Sequence, residues 1–282
     1  MRYLNETFTL NNGVTIPAVG YGTWRIYNAD ASVAVFKDAL DVGYRHLDTA
    51  AFYENEKSLG EAIEAHEVDR DALFITSKVP SNVKTYEETI EVFNQTLADL
   101  KTDYVDLYLI HGPAPREERH DTRPYDQGNL EVWRALEDLY EQGKTRSIGV
   151  SNFAVRDLKN LLNHGRIKPM VNQIRYFIGF TQDEIVAFSK ANDILIQAYS
   201  PLARTGIFEH PTVKQIANKL GVTPAQLAVR YCLEHGTLPL PKSQNKDRMK
   251  NNADVDFSID AVSLKALDAI DFDPAKDPLP KK

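Results

Sequence analysis

The sequence predicts an α/β protein built as a (β/α)8 barrel with an N-terminal β-hairpin. Eight short apolar segments alternate with stretches whose apolar residues recur at helical spacing, and strands that each lead into a helix pair in parallel. The central segments, such as residues 107–110, are apolar on both faces, as expected for strands covered on both sides. Residues 1–282 contain no linker or low-complexity tract, so we expect a single barrel domain.

The hairpin is the first expected element. Asn12-Gly13 lies between two apolar-rich runs, and this pair favours a type I′ turn, in which both central residues have positive φ. The eight predicted strands follow, each a short apolar core bounded by polar residues. They cover residues 18–22, 44–48, 72–78, 104–111, 146–152, 170–176, 194–200 and 238–243.

Helices are predicted between the strands. Two have a clear apolar face at helical spacing, over residues 85–101 and 130–143. Three helix starts carry the capping-box pattern, in which two side chains three residues apart bond each other's backbone N–H groups. The pairs are Thr85 with Glu88, Thr181 with Glu184, and Thr223 with Gln226.

An open, doubly wound sheet is the alternative fold. Its first strand would normally lead into the pattern G-x-G-x-x-G, which brings a helix N-terminus close to a pyrophosphate. The nearest match is Gly20-Tyr21-Gly22, and Arg25 stands where the third glycine belongs. The sequence therefore favours the closed barrel, the TIM-barrel fold.

The composition argues against several classes of protein. A formal net charge of −7 is unlike that of a general nucleic-acid binder, which needs a basic surface. No apolar run approaches the roughly 18 residues of a membrane span, and the first residues do not resemble a signal peptide. We therefore expect a cytoplasmic protein. We also expect a monomer, because no exposed apolar helix face stands out.

Four polar side chains lie at or just after the carboxyl ends of three consecutive predicted strands. Asp48 ends the second strand and Tyr53 follows it, Lys78 ends the third, and His111 ends the fourth. In a (β/α)8 barrel these ends meet at one rim, where active sites lie. Each residue alone is more simply a turn residue, a solvated charge or a core aromatic. Their occurrence together predicts a catalytic unit.

The four residues suit the reduction of a carbonyl group. A lysine ammonium beside Tyr53 would lower the phenol pKa from its ordinary value near 10 and make it a better acid. Asp48 would hold Lys78, and His111 would donate a hydrogen bond to the substrate oxygen, while a cofactor delivers hydride. A metal site has weak support, because His46 and Asp48 are the only such pair of possible ligands at a strand end, and we expect none.

These segments resemble the aldo-keto reductase family, in particular its bacterial-type branch, over nearly the whole chain. The likeness is carried by residues 43–56 (GYRHLDTAAFYENE), 75–78 (ITSK) and 109–111 (LIH). It implies an oxidoreductase in which Tyr53 is the general acid. The implied catalytic tetrad consists of Asp48, Tyr53, Lys78 and His111.

The resemblance also implies a nicotinamide cofactor, NADPH, with NADH as the alternative. Residues 149–153, 171–173 and 197–202 resemble segments that hold the nicotinamide ring, and residues 240–248 resemble a site for the adenosine 2′-phosphate. Within the first three segments, Ser151, Asn152 and Gln173 would hold the carboxamide, and Tyr199 would stack on the ring. Lys242, Ser243 and Arg248 would bind the phosphate, Asn252 would touch the adenine, and Gly22, Thr23, Asp48, Ser200 and Leu202 complete the implied cofactor contacts.

The substrate pocket implied by the resemblance is lined by Trp24, Tyr53, His111 and Gly112. Gly112 stands where the family often has Trp, which suggests a roomier pocket. The long loop over residues 113–129 is expected to cover the substrate, and residues 201–211 the cofactor pyrophosphate.

The predicted function is NADPH-dependent reduction of aldehydes, ketones or dicarbonyls to alcohols. The expected partner is a small carbonyl substrate, and neither nucleic acid nor a membrane is expected. The alternative is a nucleotide-binding barrel that acts as a regulatory or redox-sensing subunit with little turnover.

Overall fold

The N-terminal hairpin consists of β1 (Thr7–Thr9) and β2 (Thr15–Pro17), paired antiparallel. In this computed structural model, which describes residues 1–27 and 30–272, its turn differs from the predicted type I′ turn. The Leu10 N–H donates to the Val14 carbonyl, so three residues form the loop, and of these Gly13 alone has positive φ. A three-residue loop needs one left-handed residue, not two.

The hairpin is attached to the amino end of the barrel through its loop. Asn11 Nδ2 donates to the carbonyls of Pro169 and Asp193, each at 3.0 Å, and Asn12 Nδ2 donates to the Arg146 carbonyl at 3.0 Å. These three carbonyls lie just before barrel strands. The two asparagines therefore bind the barrel through their side chains.

Eight parallel strands form the central sheet, and their order in the sheet is their order in the chain. Two backbone hydrogen bonds of 3.1 Å, from Gly20 N–H to the Pro239 carbonyl and from Gly22 N–H to the Pro241 carbonyl, join the first strand to the last. The predicted barrel is confirmed. The strands are β3 (Tyr21–Gly22), β4 (His46–Asp48), β5 (Phe74–Val79), β6 (Leu107–Ile110), β7 (Ile148–Ser151), β8 (Val171–Arg175), β9 (Leu195–Tyr199) and β10 (Leu238–Leu240).

Helices surround this sheet. Those in the described ranges are α1 (Asp30–Val42), α2 (Glu56–His66), α3 (Tyr86–Leu100), α4 (Asp126–Glu141), α5 (Val155–His164), α6 (Asp183–Ala191), α7 (Pro211–Leu220), α8 (Pro224–Glu234), α9 (Lys246–Ala253) and α10 (Ala261–Asp268). No helix in residues 1–27 and 30–272 is both long and apolar enough to cross a membrane.

The predicted helix caps have different outcomes. Thr223 and Gln226 make both bonds of a capping box at the start of α8, and Thr85 caps α3 by accepting from the Glu88 N–H. The prediction for Thr181 is wrong, because α6 begins at Asp183 and Gln182 occupies the N-cap position. Gln182 adopts a left-handed conformation there, and its amide donates to the carbonyl that ends β8.

Candidate active site

A cavity of about 1470 Å³ opens at the carboxyl ends of the barrel strands. Most of the predicted site residues line it. They are Gly22, Thr23, Trp24, Asp48, Tyr53, His111, Ser151, Asn152, Gln173, Tyr199, Ser200, Leu202 and Lys242. Lys78 lies directly behind this wall, and Gly112, Ser243, Arg248 and Asn252 are not part of the lining.

The floor of the cavity contains a buried ion pair between neighbouring strands. Lys78 Nζ donates to Asp48 Oδ1 at 2.7 Å and to the Thr49 carbonyl at 2.7 Å. The two charged side chains are 0% and 4% exposed. Burial raises the pKa of Asp48 and lowers the pKa of Lys78, and the charge of each partner opposes the shift of the other. The pair is therefore held by direct contact in a place that disfavours both charges.

Tyr53 lies on a short 3-10 turn over Ala51–Tyr53, after β4. Its ring centroid is 5.1 Å from Lys78 Nζ, and the rings of Trp24 and His111 pack against it at centroid distances of 4.9 and 5.5 Å. The expected lowering of its pKa is wrong. Burial raises the pKa of Tyr53 well above 10, and the charge of Asp48 adds to that rise. Tyr53 is thus a neutral phenol that carries its proton at neutral pH.

His111 follows β6 and faces the same part of the cavity as Tyr53. Burial lowers its pKa well below the ordinary 6.5, and the charges of Lys78, Arg119 and Arg116 lower it further. The imidazole is therefore neutral at neutral pH, with one ring nitrogen that donates and one that accepts.

An amide chain extends from the ion pair across the barrel interior. Gln173 Nε2 donates to Asp48 Oδ2 at 2.7 Å and to Gln197 Oε1 at 2.9 Å. The carboxylate can only accept, so the Gln173 amide nitrogen must face Asp48, and both of its hydrogens are used within the protein. Its oxygen is the atom left for a ligand. Gln197, which sequence reasoning missed, holds this orientation.

A second set of hydrogen bonds joins three residues that are predicted to contact the nicotinamide. Asn152 Nδ2 donates to Ser151 Oγ at 2.9 Å and to the His111 carbonyl at 3.0 Å, and the Tyr199 hydroxyl donates to Asn152 Oδ1 at 2.8 Å. Asn152 has a φ of 62°, a conformation that Asn tolerates better than most residues. These bonds set the orientation of Tyr199 at the cavity wall.

The predicted phosphate-binding residues lie just beyond β10. Lys242 lines the cavity with Arg25, and burial lowers its pKa, with the charge of Arg25 adding to that effect. Arg248 is exposed in the first turn of α9, where Asn245 caps the helix by accepting from the Arg248 N–H at 2.9 Å. Ser243 is half-buried beside this cap, and Asn252 is buried within α9.

Gly112 does not reach the cavity. A Cβ at this position would lie 3.4 Å from Ser81 Cβ, and the Gly112 carbonyl accepts a bond from Lys84 Nζ at 3.3 Å. The residue therefore faces the neighbouring loop.

Sequence reasoning missed several side chains of the cavity wall. The predicted loop over residues 113–129, whose last four residues belong to α4, contributes Arg116, Arg119 and His120, and the loop over residues 201–211 contributes Arg204. Both loops were predicted to lie over the site, and their basic residues are visible in the sequence. The direction of those side chains is a property of the folded loops.

The cavity suits a nicotinamide dinucleotide. Its volume exceeds the roughly 300–1000 Å³ of ordinary small-molecule pockets. Thr23 Oγ1 is fully buried in the wall and has no hydrogen-bond partner within the described residues. A Cβ at Gly22 would come 3.2 Å from the Leu240 carbonyl oxygen, so glycine lets the first and last strands approach closely at this wall. The donor, the space and the cations all fit such a ligand. No group of His, Cys, Asp and Glu able to hold a metal ion occurs in the described ranges.

Comparisons with known proteins agree with one another. The model of the aldo/keto reductase family matches residues 18–271. The chain is 40% identical to the glyoxal reductase of Bacillus subtilis, over 98% of this chain and 97% of that protein. It is 34% identical to the NADPH-dependent D-xylose reductase of Meyerozyma guilliermondii, over 95% of each. A crystal structure of an aldo/keto reductase from Brucella melitensis superposes with a TM-score of 0.87 and 40% identity, covering 93% of this chain and 98% of that one.

Proposed function

The chain belongs to the aldo/keto reductase family, and on that premise we propose that it reduces aldehydes, ketones or dicarbonyls to alcohols with NADPH. The names of two relatives, a glyoxal reductase and an NADPH-dependent xylose reductase, support this reaction and this cofactor. The observation that carries the proposal is the buried contact between Lys78 and Asp48, directly beneath Tyr53 in the cavity.

In this proposal Tyr53 is the proton donor. Its raised pKa keeps the phenol protonated at neutral pH, and the neutral His111 donates a second hydrogen bond to the same carbonyl oxygen. Two donors on one oxygen favour the negative charge that develops there as the carbonyl is reduced. The bound cofactor supplies the hydride.

Lys78 and Asp48 position this donor. The ammonium near the Tyr53 ring favours the phenolate that forms when the proton leaves, and Asp48 keeps the ammonium in place. Trp24 packs against Tyr53 and forms a wall of the substrate pocket. Gly112 stays outside this wall.

The cofactor contacts follow from the donors and acceptors that the protein leaves open. Gln173 has only its amide oxygen available, so we assign it as an acceptor for the carboxamide N–H, beside Ser151 and Asn152. Tyr199 offers its ring face. Lys242 and Arg248 supply positive charge for the phosphate. We propose that Gly22, Thr23, Ser200, Leu202, Ser243 and Asn252 complete this site.

The test measures turnover and cofactor binding separately. NADPH oxidation is followed with glyoxal, methylglyoxal and xylose, and the Kd for NADPH is measured by fluorescence. Tyr53→Phe should lower kcat by roughly 10²–10⁴ and leave the Kd within a few-fold. Tyr27→Phe, at an exposed position, is the matched control. Tight NADPH binding without turnover of any carbonyl would favour the regulatory or redox-sensing alternative.

The remaining expectations concern assembly and location. We propose that residues 1–282 form one domain and that the protein is a cytoplasmic monomer without nucleic-acid or membrane partners. Light scattering should then give a mass near the 31.9 kDa of one chain.

A further inference from the structure

Cationic side chains line the cavity in two groups on opposite sides of the barrel. Lys242 and Arg25 follow β10 and β3, the two strands that close the barrel, and Arg204 follows the neighbouring β9. Arg116 and Arg119 follow β6. In a ring of eight strands in chain order, β6 and β10 lie directly across from each other. The two groups therefore enter the one cavity from different strand ends.

The group after β6 acts on His111, one of the two predicted proton donors. Beyond the effect of burial, the charges of Lys78, Arg119 and Arg116 lower the pKa of His111. Arg119 and Arg116 also oppose the rise that burial causes in the pKa of Tyr199, whereas the charge that acts on Lys242 is that of Arg25. Arg116 begins a 3-10 turn, Arg116–Glu118, and is half-buried. Arg119 is exposed, lines the cavity and makes no ion pair with a described residue. Glu117 and His120 are the other titratable groups of this wall.

The loop that carries these arginines is tied at its base. Lys84 Nζ donates to Asn129 Oδ1 at 2.7 Å and to the Gly112 carbonyl at 3.3 Å, and Asn129 Nδ2 donates to the Pro113 carbonyl at 2.9 Å. Asn129 is 1% exposed. The start of the loop is thus joined to the first turn of α4 by hydrogen bonds, and Arg116 and Arg119 line the cavity between these two points.

Another arginine of the same loop has a different environment. Arg123 donates to both carboxylate oxygens of Asp121, at 2.8 and 2.9 Å, and does not line the cavity. Its charge is already matched within the loop. The guanidinium of Arg119, in contrast, has no carboxylate partner among the described residues, and its planar set of N–H donors suits a carboxylate or a phosphate.

We propose that the cavity selects carbonyl substrates that also carry an anionic group, a carboxylate or a phosphate, and that Arg116 and Arg119 bind this group. The inference rests on the proposed reductase function. The cations on the side of β10 would serve the phosphates of the cofactor, and those on the side of β6 would serve the substrate. The carbonyl oxygen would then lie between Tyr53 and His111.

The test compares charged and neutral substrates that share the same reacting aldehyde. Succinic semialdehyde is paired with its methyl ester, and glyceraldehyde 3-phosphate with glyceraldehyde. The wild type should prefer the charged member of at least one pair in kcat/KM, by about tenfold, the lower end of what a charged hydrogen bond contributes. The pair that shows the preference identifies the anion. Raising the salt concentration should reduce the preference.

Variants then locate the effect. Arg119→Gln and Arg116→Gln should each reduce the charged-to-neutral ratio by about tenfold or less, and Arg123→Gln should leave it unchanged. Arg119 is exposed, so its variant should fold even if the Arg116 variant does not. The Kd for NADPH is measured for every variant.

Three results would overturn the inference. The wild type could reduce the neutral members as well as the charged ones. The variants could lower kcat/KM equally for both members of a pair. They could instead weaken NADPH binding and leave the ratio intact, which would assign the arginines to the cofactor. Absence of turnover with every carbonyl would reject the proposed function as well, whereas turnover without preference rejects only this inference.

Discussion

Replacing Lys78 by Met should destabilise the protein by about 3–5 kcal/mol. Methionine fills a similar space but has no donor, so Asp48 loses its cation and the Thr49 carbonyl loses a bond. Asp48 keeps the 2.7 Å bond from Gln173 but remains a buried carboxylate without a counter-charge. Removing one partner of a buried pair typically costs about 3–5 kcal/mol, whereas an exposed pair is worth about 0–1 kcal/mol.

The assay is urea unfolding at pH 7 followed by circular dichroism and tryptophan fluorescence. Lys214→Met is the matched control, because Lys214 pairs with Glu209 where the two side chains are 50% and 81% exposed. The double variant Lys78→Met with Asp48→Asn leaves no buried charge at this site. Its loss of unfolding free energy should therefore be smaller, by about 2 kcal/mol or more, than the sum of the losses in the two single variants.

The pH dependence of stability provides an independent check on the Lys78→Met variant. Burial already raises the pKa of Asp48, and loss of the ammonium raises it further. When the pKa of a carboxyl group is higher in the folded protein than in the unfolded chain, stability falls as pH rises between these two pKa values, here from near 4 upward. The deficit of Lys78→Met should therefore shrink between pH 7 and pH 5. A deficit below about 1 kcal/mol at pH 7, or one that does not change with pH, would refute the buried-pair argument.

Three further outcomes are expected. Burial raises the pKa of Glu56 to about 7, so the stability of the wild type should fall as pH rises from about 4.5 to 7. Glu56→Gln should flatten this dependence in urea unfolding experiments from pH 4.5 to 8, and an unchanged slope would contradict the assignment. Gln197→Leu removes the acceptor that orients the Gln173 amide. The Kd for NADPH, measured by fluorescence, should then rise by roughly tenfold. An unchanged Kd would show that this orientation does not affect cofactor binding. Helix propensity alone would make Gly60→Ala stabilising by about 1 kcal/mol, but the added Cβ would lie 2.5 Å from the Asp99 carbonyl oxygen. We therefore expect a net loss of stability of about 1–3 kcal/mol in thermal melts, and a gain in stability would refute the packing argument.

The order of the barrel strands was predictable from the sequence because the signals are local. Seven of the eight predicted strands contain the observed one, and β5 extends one residue beyond its prediction, to Val79. His111 follows directly on β6, as Tyr53 follows β4. Parallel strands joined by helices must direct their carboxyl ends to one rim. The sequence alone therefore sufficed to place Asp48, Tyr53 and His111 at one cavity.

The details that failed depend on distances between parts that are remote in the chain. The hairpin turn follows the register of β1 and β2 and the carbonyls that Asn11 and Asn12 reach across the barrel end. Gln197 and Gln173 meet only because β8 and β9 are neighbours in the barrel. No spacing in the sequence reports such a contact.

The sequence by itself determined the barrel, the rim on which the chemistry lies and the family. The tertiary structure alone decided the protonation of that chemistry and the distribution of positive charge around it. A nearby ammonium predicts a more acidic Tyr53, yet burial and the charge of Asp48 raise the pKa of Tyr53. The physical reason is that desolvation depends on every atom surrounding a group, whereas a sequence shows only its neighbours along the chain.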